Sequence, residues 1–201
     1  MNSIFNIYLE LGFKHILDLA GYDHILFLVA LCAVYRIAEW KKVILLATAF
    51  TLGHSLTLAL AALDILHFSP AAVEILIPVT ILLTAFFNIL FHSGDKKMIN
   101  SKRMSINYGF AALFGLIHGM GFSNFFRATA LPGDGKAFIL QLFAFNLGVE
   151  AGQVIIIAII LVLAGLSFRL FKVRQNYWNW GVSGIAALFS AKMIIERLMD
   201  L

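Results

Sequence analysis

The chain has 201 residues, of which 61% are hydrophobic and only 13% are charged. Soluble domains are about half apolar and about a quarter charged, so this composition excludes an ordinary soluble domain. It also excludes a disordered chain, because disorder requires low hydrophobicity. The net charge of +4 comes from 15 Lys and Arg against 11 Asp and Glu. These basic residues lie between apolar runs, which favours a membrane protein over a nucleic-acid-binding protein.

Six apolar runs are predicted to be transmembrane helices, because about 20 apolar residues suffice to cross a bilayer. In chain order they cover residues 16–35, 43–63, 72–92, 106–126, 138–170 and 178–193. Before them, residues 4–13 mix apolar and polar side chains and predict a helix lying in the headgroup region. The sequence therefore predicts an all-α integral membrane protein, with residues 1–201 forming a single multi-pass domain.

The positions of lysine and arginine predict the orientation of these spans. The segments that follow spans one, three and five contain twice as many of these residues as the rest of the chain. Because cytoplasmic loops carry the excess of positive charge, both termini are predicted to lie outside.

Ionisable residues occur inside four of the predicted spans. Asp23 and His24 lie in the first, His54 in the second, His118 in the fourth and Glu150 in the fifth, each 7 to 12 residues from the start of its span. Such groups cost about 2.5 to 3.5 kcal/mol each on insertion, and these five fall at a similar depth. Imidazole and carboxylate together suit Ni²⁺, Zn²⁺ and Co²⁺. The pattern therefore predicts a divalent metal site near the bilayer centre.

Other polar residues are assigned by their spacing and position. Four share a helix face with the ionisable groups and are predicted to support the metal site: Thr51, Ser55, Asn146 and Gln153. Three histidines near span ends or in a loop are expected to have interfacial or solvated roles: His15, His67 and His92.

Two of the predicted spans share a sequence pattern. The segment FTLGHSLTL begins at Phe50, and FGLIHGMGF begins 64 residues later at Phe114. Both contain a histidine flanked by small residues, and both spans are predicted to run in the same direction. This hints at a duplicated helix hairpin, an arrangement found in transporters.

Four motifs in order along the chain resemble the HupE/UreJ family of membrane proteins, which is associated with nickel uptake. They are GFKHILDLAGYDHILFL from Gly12, FTLGHSLTLAL from Phe50, FGLIHGMGFS from Phe114 and FNLGVEAGQ from Phe145. The resemblance implies a secondary transporter or permease for Ni²⁺ in a bacterial inner membrane.

The resemblance also implies which residues matter for transport. Asp23, His24 and His118 match family positions by their place in the motifs. Seven residues separate His15 from Asp23 here, where the family motif has five. Two extra helical residues rotate a side chain by about 200°, so His15 matches only if the helix breaks near Gly21. This departure suits a divergent branch of the family.

Three functions are compatible with these residues. The first is a permease for a divalent metal ion, with nickel expected and zinc or cobalt as alternatives. The second is an intramembrane zinc-dependent hydrolase acting on a lipid, with Glu150 or Asp23 as the base. The third is a structural or sensor membrane protein. The expected partners are the metal ion and the lipid bilayer, without nucleic acid, and a homo-oligomer is left open.

Overall fold

The structure is a computed structural model that describes residues 2–91, 101–129 and 135–200. Within these ranges the fold is all-helical, as predicted. The helices are α1 (Asn2–Leu17), α2 (Asp23–Cys32), α3 (Trp40–Ala62), α4 (Pro70–Phe91), α5 (Ser101–Thr129), α6 (Gly135–Leu170) and α7 (Gln175–Met199), and a short 3-10 turn at Ile37–Glu39 precedes α3.

Three stretches of the described residues are long and apolar enough to cross a membrane. They are Ile37–Ala62, Pro70–Leu90 and Gly135–Leu170, which correspond to α3, α4 and α6. The predicted total of six spans and the outward position of both termini stay predictions.

The first predicted span, residues 16–35, is not one continuous helix. Helix α1 ends at Leu17, and α2 begins at Asp23. Between them the Asp18 carboxylate accepts a hydrogen bond from the backbone N–H of Ala20 at 2.9 Å, a local turn that competes with helical hydrogen bonding. Gly21 follows, and glycine has a low helix propensity. Helix α2 has 10 residues, about 15 Å, and covers about half of a 30 Å hydrocarbon layer.

Helix α1 packs along α6, whereas the sequence predicted that it lies in the headgroup region. Tyr8 and Ile16 are each only 1% exposed. A Cβ atom on Gly12 would meet the backbone carbonyl of Phe145, and one on Gly148 would meet the backbone of α1. Tyr8 and Ile16 therefore pack against protein, because glycines allow the two backbones to approach closely.

Helices α3 and α5, which carry the repeated pattern, pack closely and run in the same direction. A Cβ atom on Gly115 would meet the Phe50 carbonyl, and one on Gly119 would meet the carbonyl of His54. A residue four positions later in α5 thus contacts a residue four positions later in α3, so the two helices are parallel. This packing places His54 and His118 on neighbouring helices.

One end of the bundle carries a group of six basic residues, and we call it the basic end. The Arg36 guanidinium donates a hydrogen bond to Gln175 there at 3.3 Å, and Ile37 lies beside Gly165 of α6. The end of α2, the start of α3, the end of α6 and the start of α7 thus meet. The basic residues of this end are Arg36, Lys41, Lys42, Arg169, Lys172 and Arg174.

The opposite end is called the distal end. The Tyr8 hydroxyl donates a hydrogen bond to the Thr129 carbonyl there at 2.7 Å, and Arg197 lies 3.3 Å from Glu74. Helix α1 therefore begins, and α7 ends, at the distal end. Helix α1 descends from this end to the bundle centre, and α2 continues from the centre to the basic end.

Candidate metal centre

Four histidines from four helices gather where α1 and α2 meet. The ring centroid of His24 lies 4.7 Å from that of His15, 5.9 Å from that of His54 and 5.1 Å from that of His118. The rings of His24, His54 and His118 are buried. The structure thus brings together the three histidines that the sequence singled out, with His24 at the centre.

His15 also belongs to this group, so the expectation of an interfacial role for it was wrong. Its ring centroid lies 5.9 Å from that of His54 as well as next to His24. The break over residues 18–22 turns the chain so that the last turn of α1 faces the first turn of α2. Asp18 and Gly21 are the turn-forming residues that signal this break in the sequence, and a break near Gly21 was the condition under which His15 was expected to match the family motif.

The Asp23 carboxylate orients His24. Its Oδ1 atom lies 2.9 Å from His24 Nδ1 and accepts the backbone N–H of His24 at 2.8 Å. An ionised carboxylate can only accept a hydrogen bond, so the imidazole proton of His24 must be on Nδ1. This tautomer leaves a lone pair on Nε2. A carboxylate that holds one imidazole nitrogen in this way commonly prepares the other to ligate a metal.

Thr80 of α4 orients His118 in a similar way. The Thr80 hydroxyl donates its proton to the carbonyl of Ile77 at 2.7 Å and lies 3.2 Å from His118 Nε2. Since its single proton is already used, the hydroxyl accepts a hydrogen bond from Nε2–H. This assignment leaves the lone pair of His118 on Nδ1.

The free nitrogens of these imidazoles lack hydrogen-bond partners among the described residues. They are His15 Nε2, His24 Nε2, His118 Nδ1 and both ring nitrogens of His54. A buried polar atom without a partner costs about 1 to 3 kcal/mol. Five such atoms in one cluster are therefore unfavourable in a purely structural role, and a bound cation would recover part of this cost.

Asp23, His24 and His118 meet the distance requirement for a shared ion. Each offers one ligand atom, and these three atoms lie within 4.8 Å of one another. His15 and His54 border this group through their contacts with His24. The arrangement can thus offer imidazole nitrogen and carboxylate oxygen to one cation.

Phenylalanines enclose the cluster. Phe122 packs against His15 in a tilted arrangement with ring centroids 3.9 Å apart, and Phe50 packs edge-on to His118 at 5.0 Å. Phe27 and Phe145 complete the apolar wall, with both rings 1% exposed or less. Charges attract more strongly in such low-dielectric surroundings than in water, so the wall strengthens the attraction of Asp23 for a cation.

The structure does not place Glu150 in this three-residue group. Its Oε1 atom accepts a hydrogen bond from the Thr48 hydroxyl at 2.7 Å. Thr48 precedes His54 by six residues on α3, about 9 Å along the helix. The carboxylate therefore faces a part of α3 closer to the basic end.

The four predicted supporting residues form hydrogen bonds within α3 or α6 or between these two helices. The Thr51 hydroxyl donates to Gln153 Oε1 at 2.9 Å. The Ser55 hydroxyl donates to the carbonyl of Thr51 at 2.6 Å, and the Asn146 amide donates to that of Leu142 at 2.8 Å. Ser55 and Asn146 thus satisfy carbonyl groups of their own helices, whereas Thr51 and Gln153 join α3 to α6.

The two remaining histidines lie apart from the cluster or outside the described residues. His67 Nε2 lies 3.1 Å from Asp64 Oδ1 in the loop after α3, and its side chain is 71% exposed, in agreement with a solvated role. His92 lies outside the residues that the structure describes.

The comparison with known protein families matches nearly the whole chain. The model of the family described as HupE / UreJ protein covers residues 1–197. No curated protein matches the chain, and no solved structure does. The matched residues include the four clustered histidines and the long apolar helices α3, α4 and α6. The chain therefore belongs to the HupE/UreJ family of membrane proteins, which handle transition metal ions in transport.

Proposed function

We propose that this protein is a secondary transporter that carries a divalent transition metal ion across a bacterial inner membrane. Nickel is the expected substrate, with cobalt and zinc as alternatives. The observation that carries the proposal is the cluster of unpartnered imidazole nitrogens beside the Asp23 carboxylate, buried within the helix bundle.

The donor atoms favour this class of ion. Asp23, His24 and His118 provide the core of the proposed site, and His15 and His54 complete it. Borderline ions such as Ni²⁺, Co²⁺ and Zn²⁺ accept imidazole nitrogen together with carboxylate oxygen. Mg²⁺ and Ca²⁺ prefer sites made of oxygen alone, and the single cysteine, Cys32, provides no soft thiolate set for Cu⁺.

The position of the cluster favours transport over a resident ion. The site lies where α1 ends and α2 begins, and substrate sites of secondary transporters commonly lie at such discontinuous helices. A membrane potential that is negative inside favours inward movement of a divalent ion by about 4.6 kcal/mol per 100 mV. We propose that the ion enters from the distal end and leaves toward the basic end.

Uptake by proteoliposomes tests this function. Purified protein is reconstituted in vesicles that contain a metal-sensitive dye, and Ni²⁺, Co²⁺ or Zn²⁺ is added outside. We expect uptake by the wild type and its loss in His118→Ala and His54→Ala. His67→Ala is the matched control, because His67 is an exposed histidine outside the cluster, and its uptake should equal that of the wild type.

A binding measurement in detergent guards against variants that simply unfold. Each variant is compared with the wild type by melting temperature and by the visible absorption of bound Co²⁺. Folded His118→Ala and His54→Ala proteins that take up metal at the wild-type rate would refute the site. A wild type that moves no metal but releases fatty acid from lipid in a zinc-dependent reaction would refute transport in favour of the hydrolase.

A further inference from the structure

A polar track continues from His54 along α3 toward the basic end. Thr51 lies about one helical turn before His54, and Thr48 lies about one turn further. Each threonine hydroxyl donates to a polar side chain of α6: Thr51 to Gln153 at 2.9 Å, and Thr48 to Glu150 at 2.7 Å. These two bridges connect the imidazole cluster with a second carboxylate on the basic side.

The Glu150 carboxylate has a neutral partner. Its hydrogen bond comes from the Thr48 hydroxyl, and among the described residues no lysine, arginine or histidine pairs with it. Glu150 is partly buried on a helix that is long and apolar enough to cross a membrane. An ionisable group at such a place is costly, and a passing cation would supply the missing countercharge.

Gln153 provides a second, independent observation. Its side chain is 0% exposed, and its Nε2 atom has no hydrogen-bond partner among the described residues. Rotation of the amide by 180° would present the carbonyl oxygen at this position, with the amide N–H then donating to the Thr51 hydroxyl, and amide oxygens bind cations. A fully buried amide with an unused group thus lies one turn of α6 from the Glu150 carboxylate.

We propose that Glu150, together with Thr48 and Gln153, forms a second and weaker cation site through which the metal ion passes between the imidazole cluster and the basic end. This inference rests on the proposed transport function. One carboxylate with neutral oxygens binds a borderline divalent ion less tightly than a set of imidazoles does. A weaker site on the way out suits transport, because an ion has to be able to leave.

The track accounts for carboxylates at two separate places in the bundle. Asp23 offers its carboxylate inside the imidazole cluster, where the ion is held. Glu150 offers its carboxylate about two turns of α3 further along, where the ion is released. Binding and translocation therefore depend on different acidic residues, and substitutions can separate the two processes.

The test compares binding with transport in the same variant. Glu150→Gln removes the charge and keeps the shape of the side chain. We expect this protein to bind Co²⁺ in detergent within about threefold of the wild-type affinity, and to take up metal at least tenfold more slowly in proteoliposomes. Glu74→Gln is the matched control, because Glu74 is about half exposed at the distal end, and both of its activities should equal those of the wild type.

Two further variants keep the test independent of the stability of Glu150→Gln. Thr48→Val removes the hydroxyl partner and leaves the carboxylate, so we expect intermediate uptake with unchanged binding. Glu150→Asp keeps the charge and should restore part of the uptake. Comparison of melting temperatures shows which variants are folded.

Three results would overturn the inference. Loss of Co²⁺ binding in folded Glu150→Gln would make Glu150 a ligand of the imidazole cluster. Wild-type uptake by Glu150→Gln would show that the ion does not need this carboxylate. A wild type without uptake would refute the proposed transport function itself, and that failure is distinct because it requires no variant.

Discussion

Substitution of Thr80 tests whether the free nitrogen of His118 is set by its neighbour. In Thr80→Val the acceptor that lies 3.2 Å from His118 Nε2 is lost, and a methyl group takes its place. Binding of a metal through Nδ1 then requires a buried Nε2–H without an acceptor, which costs about 1 to 3 kcal/mol. Since each 1.4 kcal/mol is tenfold, metal affinity should fall by about 5- to 150-fold.

The assay for this prediction combines calorimetry with nitrogen NMR. Titration of Ni²⁺ or Co²⁺ into detergent-solubilised protein measures the affinity, and ¹⁵N-histidine labelling reports which nitrogen of His118 carries the proton. Thr80→Ser is the matched control because it keeps the hydroxyl, and it should retain both the wild-type affinity and the protonated Nε2. A structural role of Thr80 alone would lower the melting temperature without changing the nitrogen signals.

The reasoning would be refuted by a folded Thr80→Val protein with wild-type affinity and an unchanged protonated nitrogen in His118. Such a result would mean that other groups of the cluster determine the tautomer. Loss of affinity in both Thr80→Val and Thr80→Ser would equally contradict the role of the hydroxyl.

Three other predictions concern packing, charge and pH. Gly115→Ala should destabilise the protein by about 1 to 3 kcal/mol, because its Cβ would meet the Phe50 carbonyl. Gly109→Ala is the control and should not destabilise it, because nothing lies within 4 Å of a Cβ at that position. Equal melting temperatures for the two variants would contradict the packing of α5 against α3. Asp23→Asn should weaken metal binding by about 10- to 100-fold, and calorimetry that shows wild-type affinity would exclude the carboxylate from the site. Metal binding should weaken once the pH falls far enough to protonate these imidazoles, because protons then compete for the lone pairs that are free in the neutral rings; an affinity that stays constant until the protein unfolds in acid would contradict this.

Apolar length was sufficient to predict most of the helices. The run at residues 43–63 corresponds to Trp40–Ala62, and the run at 138–170 to Gly135–Leu170. Hydropathy averaged over such a window responds to burial in lipid or protein, and these helices are apolar over most of their length. The first span was the exception, because the turn at Asp18 is a local hydrogen-bonding effect that an average over twenty residues does not detect.

The site was only partly predictable for a geometric reason. Position in the sequence gives the depth of a residue in a helix, and this was enough to group His24, His54 and His118. It does not give the direction in which a side chain points around the helix axis, because neighbouring helices set that rotation. Glu150 was predicted at the depth of the histidines, whereas its carboxylate lies beside Thr48, about two turns of α3 nearer the basic end.

The break in the first span determines how the site is assembled. In a continuous helix His15 and His24 would lie about 13.5 Å apart along the axis, too far to share an ion, whereas the break brings their ring centroids to 4.7 Å. His54 and His118 instead come from α3 and α5, whose backbones are in close contact. His54 and His118 thus belong to the tightly packed helices α3 and α5, whereas His15 and His24 lie on either side of the helix break at residues 18–22. A movement of α1 and α2 relative to α3 and α5 would change the coordination of an ion without unfolding any of these helices, which is the kind of change that binding and release require.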